Sequence, residues 1–215
     1  RLEQYSHMLG VNPDYRDQGI GYRLKRAQWQ MVRQQGLDRI TWTYDPLLSR
    51  NAWLNITRLG AVCNTYLPDF YGPMRDELNL GLASDRFQVD WWVNTRRVNH
   101  RLSRGVRPPL DLDHYLKGDV RVLNPALHYT DGLIEISEWN GDITEPPEAF
   151  LMVEIPQDFL ALKAIQPALA ARWRLHTRQI FESCFAYGYL VTDFIHLTGQ
   201  NHRSYYVLCH GESTL

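Results

Sequence analysis

Cysteine is scarce in this chain: Cys63, Cys184 and Cys209 are the three in 215 residues, and no two of them form a CxxC pair. That count and spacing argue against a disulfide scaffold and against a thiolate zinc site. Net charge is nearly absent as well, with 23 Lys and Arg against 24 Asp and Glu, a formal −1. Such a balance gives no global attraction to nucleic acid or to acidic lipid, and neither is expected as a partner. No apolar run approaches the roughly 20 residues that a helix needs to span a bilayer. Neither a signal-peptide nor a transit-peptide pattern opens the chain, so the cytoplasm is the expected location. What is present is an ordinary globular composition, 44% apolar and 22% charged. It is enough for one large domain or two small ones.

"EQYSHMLGV" (3–11) is apolar-rich and ends at the turn signal Asn12-Pro13, which predicts a strand. Ile20, Leu24, Ala27 and Met31 then recur at spacings of four, three and four. That is one stripe of a helix, with Arg23, Lys25, Arg26 and Arg33 on its other faces and Gly36 closing it. "LDRITWTYD" (37–45) alternates as a strand does, so the opening reads as a βαβ unit with two parallel strands. "LSRNAWLNITRLG" (48–60) predicts a short helix closed by Gly60, and "AVCNTYL" (61–67) and "DRFQVDWWV" (85–93) predict two more strands.

From Arg96 to Arg107 there are five arginines and no acid, ending in Pro108-Pro109. The run reads as a solvated linker or helix surface, or as a surface for phosphate or a partner. It lacks the interleaved aromatics of a nucleic-acid platform. It marks a boundary between regions 1–94 and 95–215. In the second region "FLMVEI" (150–155) predicts a strand, and Trp173, Thr177, Ile180, Cys184 and Tyr187 form a helical stripe that ends near Gly188. "YLVTDFIHL" (189–197) and "SYYVLC" (204–209) read as paired strands. This order coarsely echoes residues 3–45 and leaves open whether the second region is a degenerate copy of the first.

The segment Arg16-Asp17-Gln18-Gly19-Ile20-Gly21 lies between a strand and a helix. In that position successive backbone N–H groups can converge on one anion, helped by the helix dipole, and glycine lets the ligand approach closely. A phosphate or pyrophosphate is the natural occupant. A Walker loop requires Gly-Lys-Ser/Thr, but Tyr22-Arg23 follow Gly21; a dinucleotide fingerprint requires a third glycine where Leu24 stands.

What the stretch resembles is R/Q-x-x-G-x-G/A, the acyl-CoA pyrophosphate loop of the GNAT acyltransferase superfamily. "MLGVNPDYRDQGIGYRLK" (8–25) resembles that family's strand, turn, loop and helix in unbroken register. "NAWLNITRLGA" (51–61) resembles the Asn/Ala-rich helix, ending in Leu-Gly, that follows the family's fifth strand. The resemblance covers roughly residues 3–94. It implies an α/β fold with a mixed sheet of GNAT acyl-CoA acyltransferase type, here followed by a C-terminal α+β domain. It also implies an enzyme, an N-acyltransferase in which a small amine or amino acid attacks the thioester of acetyl-CoA or another acyl-CoA, succinyl-CoA among them, without a metal. A non-catalytic acyl-CoA-binding or regulatory module is the alternative.

By the same resemblance, the backbone around Met8, Leu9 and Val11 binds the pantetheine arm and polarises the thioester carbonyl. Arg16, Gln18, Gly19, Ile20, Gly21 and Tyr22 hold the pyrophosphate. Asn51 either reaches the cofactor arm or is an ordinary early-helix polar residue. His7 resembles a histidine that some aromatic-amine acetyltransferases use as general base, and an imidazole titrates in a suitable range. Many members carry a tyrosine, as acid for the leaving thiolate, four residues before the helix-ending glycine; here that position is Ile56. Either no acid is needed, since a thiolate leaves tolerably unaided, or another hydroxyl serves, with Tyr66 and Tyr71 the candidates, although such aromatics more often pack. An arginine of 96–107 is a candidate partner for a carboxylate on the donor or acceptor. The family's fold has several strands and helices before the loop-bearing strand, so the chain reads as lacking N-terminal elements. If the chain is the whole molecule, the sheet edge would need cover from the second region or from another copy in a homo-oligomer; the favoured expectation is a fragment, with acceptor residues outside this sequence.

Overall fold

The structure, a computed structural model, describes residues 2–72, 82–103, 110–128, 134–145, 147–197 and 203–211. The first region contains β1 (Gln4–Tyr5), α1 (Ile20–Gln34), β2 (Arg39–Tyr44), α2 (Ser49–Ala52) running into a π-helical turn (Trp53–Arg58), β3 (Val62–Leu67) and β4 (Arg86–Trp92). Then come α3 (Arg96–Leu102), α4 (Leu112–Lys117), β5 (Arg121–Val122), β6 (Leu127–His128) and β7 (Ile134–Glu135). The chain continues with β8 (Phe150–Ile155), α5 (Phe159–Ile165), α6 (Pro167–Ala186), β9 (Tyr189–His196) and β10 (Ser204–His210). Eight of the described strands form one mixed sheet, ordered β1-β2-β4-β3-β9-β10-β8-β5, and β6 pairs with β7 apart from it. The fold is mixed α/β. No helix among the described residues is long and apolar enough to cross a membrane.

The sheet is two equivalent halves. β1 runs parallel to β2, and β2, β4 and β3 are antiparallel neighbours; β5 runs parallel to β8, and β8, β10 and β9 are antiparallel neighbours. The halves join where Cys63 of β3 pairs with Val191 of β9. Each of those residues stands three positions after a glycine at positive φ, Gly60 (73°) and Gly188 (84°), which turns the chain from helix into strand. Each seam strand also carries an extra residue: the β3–β4 register slips between Val62 and Thr65, and the β9–β10 register slips at Val207/Leu208. The echo read from the sequence set 150–197 against residues 3–45. The pairing pattern instead matches β8 with β2 and β9 with β3, so the copy of 150–197 is the stretch 39–67.

One apolar cluster spans both regions. Ile40, Trp42 and Tyr44 of β2 share a face with Phe87, Val89 and Trp91 of β4, and α6 lays Trp173, Ile180, Phe181 and Cys184 against the same core. Ion pairs on buried carboxylates cross the seam. Arg174 of α6 grips Asp45 with both terminal nitrogens, Arg178 grips Asp85 at 2.6 and 2.9 Å, and Arg101 of α3 reaches Asp193 of β9 at 2.8 Å.

Two expectations differ from what forms. The strand read over 3–11 is confined to Gln4–Tyr5; the Ser6 N–H still donates to the Thr41 carbonyl at 2.8 Å, and beyond it residues 7–12 have no ladder partner among the described residues. The inward face of α1 is also not the apolar stripe. Tyr22, Lys25, Trp29 and Val32 turn to the core, while Leu24 and Met31 are 48% and 51% exposed. Two aromatic rings and a four-carbon lysine stem offer the sheet more surface than the aliphatic stripe does.

Candidate functional site

The glycine loop is built by a chain of local bonds. The Asn12 side chain accepts from the Asp14 N–H at 3.1 Å, and the Arg16 N–H donates to the Pro13 carbonyl, closing a turn of 3₁₀ helix. Arg16 Nε returns to the Val11 carbonyl at 3.2 Å, and Gln18 Nε2 reaches the Asp14 carbonyl at 3.5 Å. Asp17 (φ 62°) and Gly19 (φ 71°) then adopt left-handed conformations, and Gly19 caps α1 without a side-chain bond. No acceptor among the described residues is bonded by the N–H groups of residues 17–22. These N–H groups lie at the positive end of a 15-residue helix, an end that favours an anion. The space beside Gly19 is open, with nothing within 4 Å of where a Cβ would stand. Arg50 of α2 pairs with Asp17 and ties the loop to the neighbouring helix.

Beside the loop, β1 and β2 part. Strand alternation puts Trp42 on one face of β2 and Thr43 on the other, just past the last bond to β1 at Thr41. On the Trp42 face lies Lys25. Its Nζ donates to Ser6 Oγ at 3.0 Å and Gln28 Oε1 at 3.3 Å, 3.5 Å from the centre of the Trp42 ring. The residue is 4% exposed, and burial lowers its pKa from 10.5 to about 7. The ring face and the two oxygens favour the cation and oppose that fall without cancelling it. On the Thr43 face lies Tyr71, its hydroxyl 3.2 Å from Thr43 Oγ1. Tyr71 is held by a bond from its N–H to Ser84 Oγ at 2.9 Å and by the Arg86 guanidinium 5.1 Å from its ring. The parting strands are thus flanked by a partly neutral amine on one face and a phenol on the other.

The other residues singled out from the sequence fall as follows. His7 is exposed immediately after Ser6, its ring 6.2 Å from that of Tyr5. Met8 and Leu9 are 82% and 39% exposed along the free stretch, and the Leu9 side chain lies over Gly21. Tyr22 packs under the Arg58 guanidinium at 4.8 Å, and Asn51 sits half-buried in α2. Tyr66 does not join this group. It is a core residue whose hydroxyl donates to the buried Asp85 carboxylate at 2.6 Å, and burial with that charge raises its pKa well above the usual value. Ile56 is fully buried.

Two of the arginines from 96–107 have structural partners. Arg97 donates to the Gly60 carbonyl at 3.0 Å and to the Thr192 carbonyl, and burial lowers its pKa to about 10. Arg101 is held by Asp193, and Arg96 is exposed. Arg104 and Arg107 lie outside the described residues. Among the described residues no group of three or more His, Cys, Asp or Glu is arranged to hold a metal. The sequence reading passed over Lys25, because a lysine between Leu24 and Arg26 looks like surface. Its one signal is the 22-25-29-32 spacing with two aromatics. No protein-family profile, curated protein or solved structure matches the chain.

Proposed function

We propose that the chain is an acyl-CoA-dependent N-acyltransferase of GNAT type, acting on a small amine or amino acid with acetyl-CoA or a related thioester such as succinyl-CoA. The observation that carries this reading is the glycine loop at the start of α1, whose amides have no backbone acceptor of normal geometry among the described residues, beside two parallel strands that separate after Ser6 and Thr41. The order β1-β2-β4-β3, with a parallel first pair, supports the same reading. The pyrophosphate would lie on the amides of 17–22 and the pantetheine along residues 8–11. Both contacts hold the thioester in one position, so orientation supplies much of the rate.

In the reaction the acceptor nitrogen attacks the thioester carbonyl carbon, a C–N bond forms, and the C–S bond breaks. Lys25, half neutral near pH 7 and joined to Ser6, is the partner for the proton leaving nitrogen, with His7 as the exposed alternative. Tyr71 is the hydroxyl available to the departing thiolate. The test is CoA release, followed with a thiol reagent across a panel of amines and amino acids. Release with at least one acceptor, reduced about 100-fold or more in Lys25→Met or Tyr71→Phe, fits these roles. Tight acyl-CoA binding with no release for any amine would leave a binding module instead.

A further inference from the structure

Three groups surround the Lys25 amine: Ser6 Oγ at 3.0 Å, Gln28 Oε1 at 3.3 Å and the face of Trp42, 3.5 Å from the ring centre. They take up all three protons of an ammonium. The Ser6 hydroxyl then gives its own proton to Gln28 Oε1, 3.3 Å away. Burial is the one cause that lowers the lysine pKa, to about 7, so both forms of the amine are populated near neutral pH. A neutral amine has two protons and a lone pair. Gln28 Oε1 can only accept, and the negative face of the ring also calls for a proton. The lone pair is therefore left to Ser6, whose hydroxyl turns from Gln28 to Nζ. A hydroxyl bonded to a neutral base in this way is an activated nucleophile.

Ser6 stands where such a nucleophile can be used. Its N–H makes the last bond to Thr41; the residue is half-buried, and residues 7–10 beyond it are exposed. Lys25 behind it is 4% exposed, so the amine is shielded while the serine lies at the strand opening. From His7 on the backbone has no ladder partner among the described residues, which leaves the amide next to Ser6 for a developing oxyanion. The geometry points to Ser6 as a nucleophile that takes the acyl group of a thioester or activated ester, with Lys25 as its base, and yields it to water when no amine is bound. In the first step Oγ bonds to the acyl carbon and the C–S or C–O bond breaks. The Ser6 proton passes through Lys25 Nζ to the leaving sulfur or oxygen. In the second step water attacks the acyl-serine, the bond from Oγ to the acyl carbon breaks, and the water proton returns through Lys25 to Oγ. The net reaction is acyl hydrolysis.

This activity rests on Ser6 and Lys25 and not on the glycine loop, so it stands whether or not the loop binds acyl-CoA. The titratable groups on the elements around Lys25 are Glu3, Tyr5 and His7 beside β1, Arg39 and Tyr44 of β2, and Tyr22 with the arginines of α1; Glu3 and Arg39 pair with each other at 2.8 Å. The test is p-nitrophenyl acetate, which has no phosphate for the loop to hold. The full chain should release p-nitrophenol, and peptide mapping by mass spectrometry after an acid quench should find an acetyl group on Ser6. The rate should rise through an inflection near pH 7 and level off above it, as Lys25 loses its proton. Ser6→Ala and Lys25→Met should each lower the rate at least about 100-fold, and Lys25→Met should also lose the inflection. No acetyl group on Ser6 of the folded chain, a rate unchanged in Ser6→Ala, or a Lys25→Met protein with the parent rate and pH profile would overturn the assignment.

Discussion

Replacing Lys25 with methionine removes a buried ammonium while keeping an unbranched stem against Trp42. Burial takes the lysine pKa from 10.5 to about 7. That fall, at about 1.4 kcal/mol per pH unit, makes the charged form about 5 kcal/mol less favourable in the folded chain than in the unfolded one. Between the two values the unfolded chain binds more protons, so the stability of the lysine protein rises with pH through this window. Below pH 7 both states are protonated and the full penalty is present. Methionine does not titrate, so its advantage over lysine should shrink by about 3 kcal/mol between pH 7 and pH 9.5. Urea unfolding of both proteins at the two pH values measures this, and other titrating groups cancel in the difference. A difference that stays constant with pH would refute a buried lysine with a lowered pKa, and with it the role given to Lys25.

Arg174→Met should destabilise the chain by about 3–5 kcal/mol, because it strips the bidentate partner from the buried Asp45 and leaves it the Leu47 N–H at 2.9 Å and, as a cation, Arg86 at 3.9 Å; chemical unfolding checks it. Gly60→Ala and Gly19→Ala both force a β-carbon into a left-handed conformation, at about 1–2 kcal/mol. At Gly60 the new atom would also meet Arg101 Cγ at 3.1 Å, whereas Gly19 has open space around it. Thermal melts should therefore rank Gly60→Ala as the more damaging of the two.

β2, β3, β4, β8, β9, β10 and α6 were legible because their apolar residues keep regular spacing and glycine ends the helices: Trp173, Thr177, Ile180 and Cys184 are buried as the stripe requires, although Tyr187 is 45% exposed. The two-residue strands β5, β6 and β7 gave no such pattern. The first strand was over-read, since apolar residues such as Met8 and Leu9 give the same signal whether a partner strand accompanies them or not. The buried face of α1 was misread because a lysine stem counts as apolar only once its ammonium has found Ser6, Gln28 and a tryptophan face. Tyr66 and Tyr71 are indistinguishable in sequence. Asp85, nineteen residues after Tyr66, draws one hydroxyl inward, while Ser84 and Thr43 hold the other at the strand opening. The repeat was visible only coarsely, because its equivalence lies in strand pairing and in the offsets from Gly60 and Gly188, not in side-chain identity.

The most direct test of the glycine loop is calorimetric titration of the chain with acetyl-CoA and succinyl-CoA, alongside Gly19→Glu. The added carboxylate would stand in the open space over the free amides of residues 17–22, repelling an anion without crowding the core. Saturable binding by the parent chain, weakened at least about tenfold in a variant that remains folded, is the expected result. Equal affinity in both proteins, or no binding of either thioester by the folded parent chain, would contradict pyrophosphate recognition at this loop.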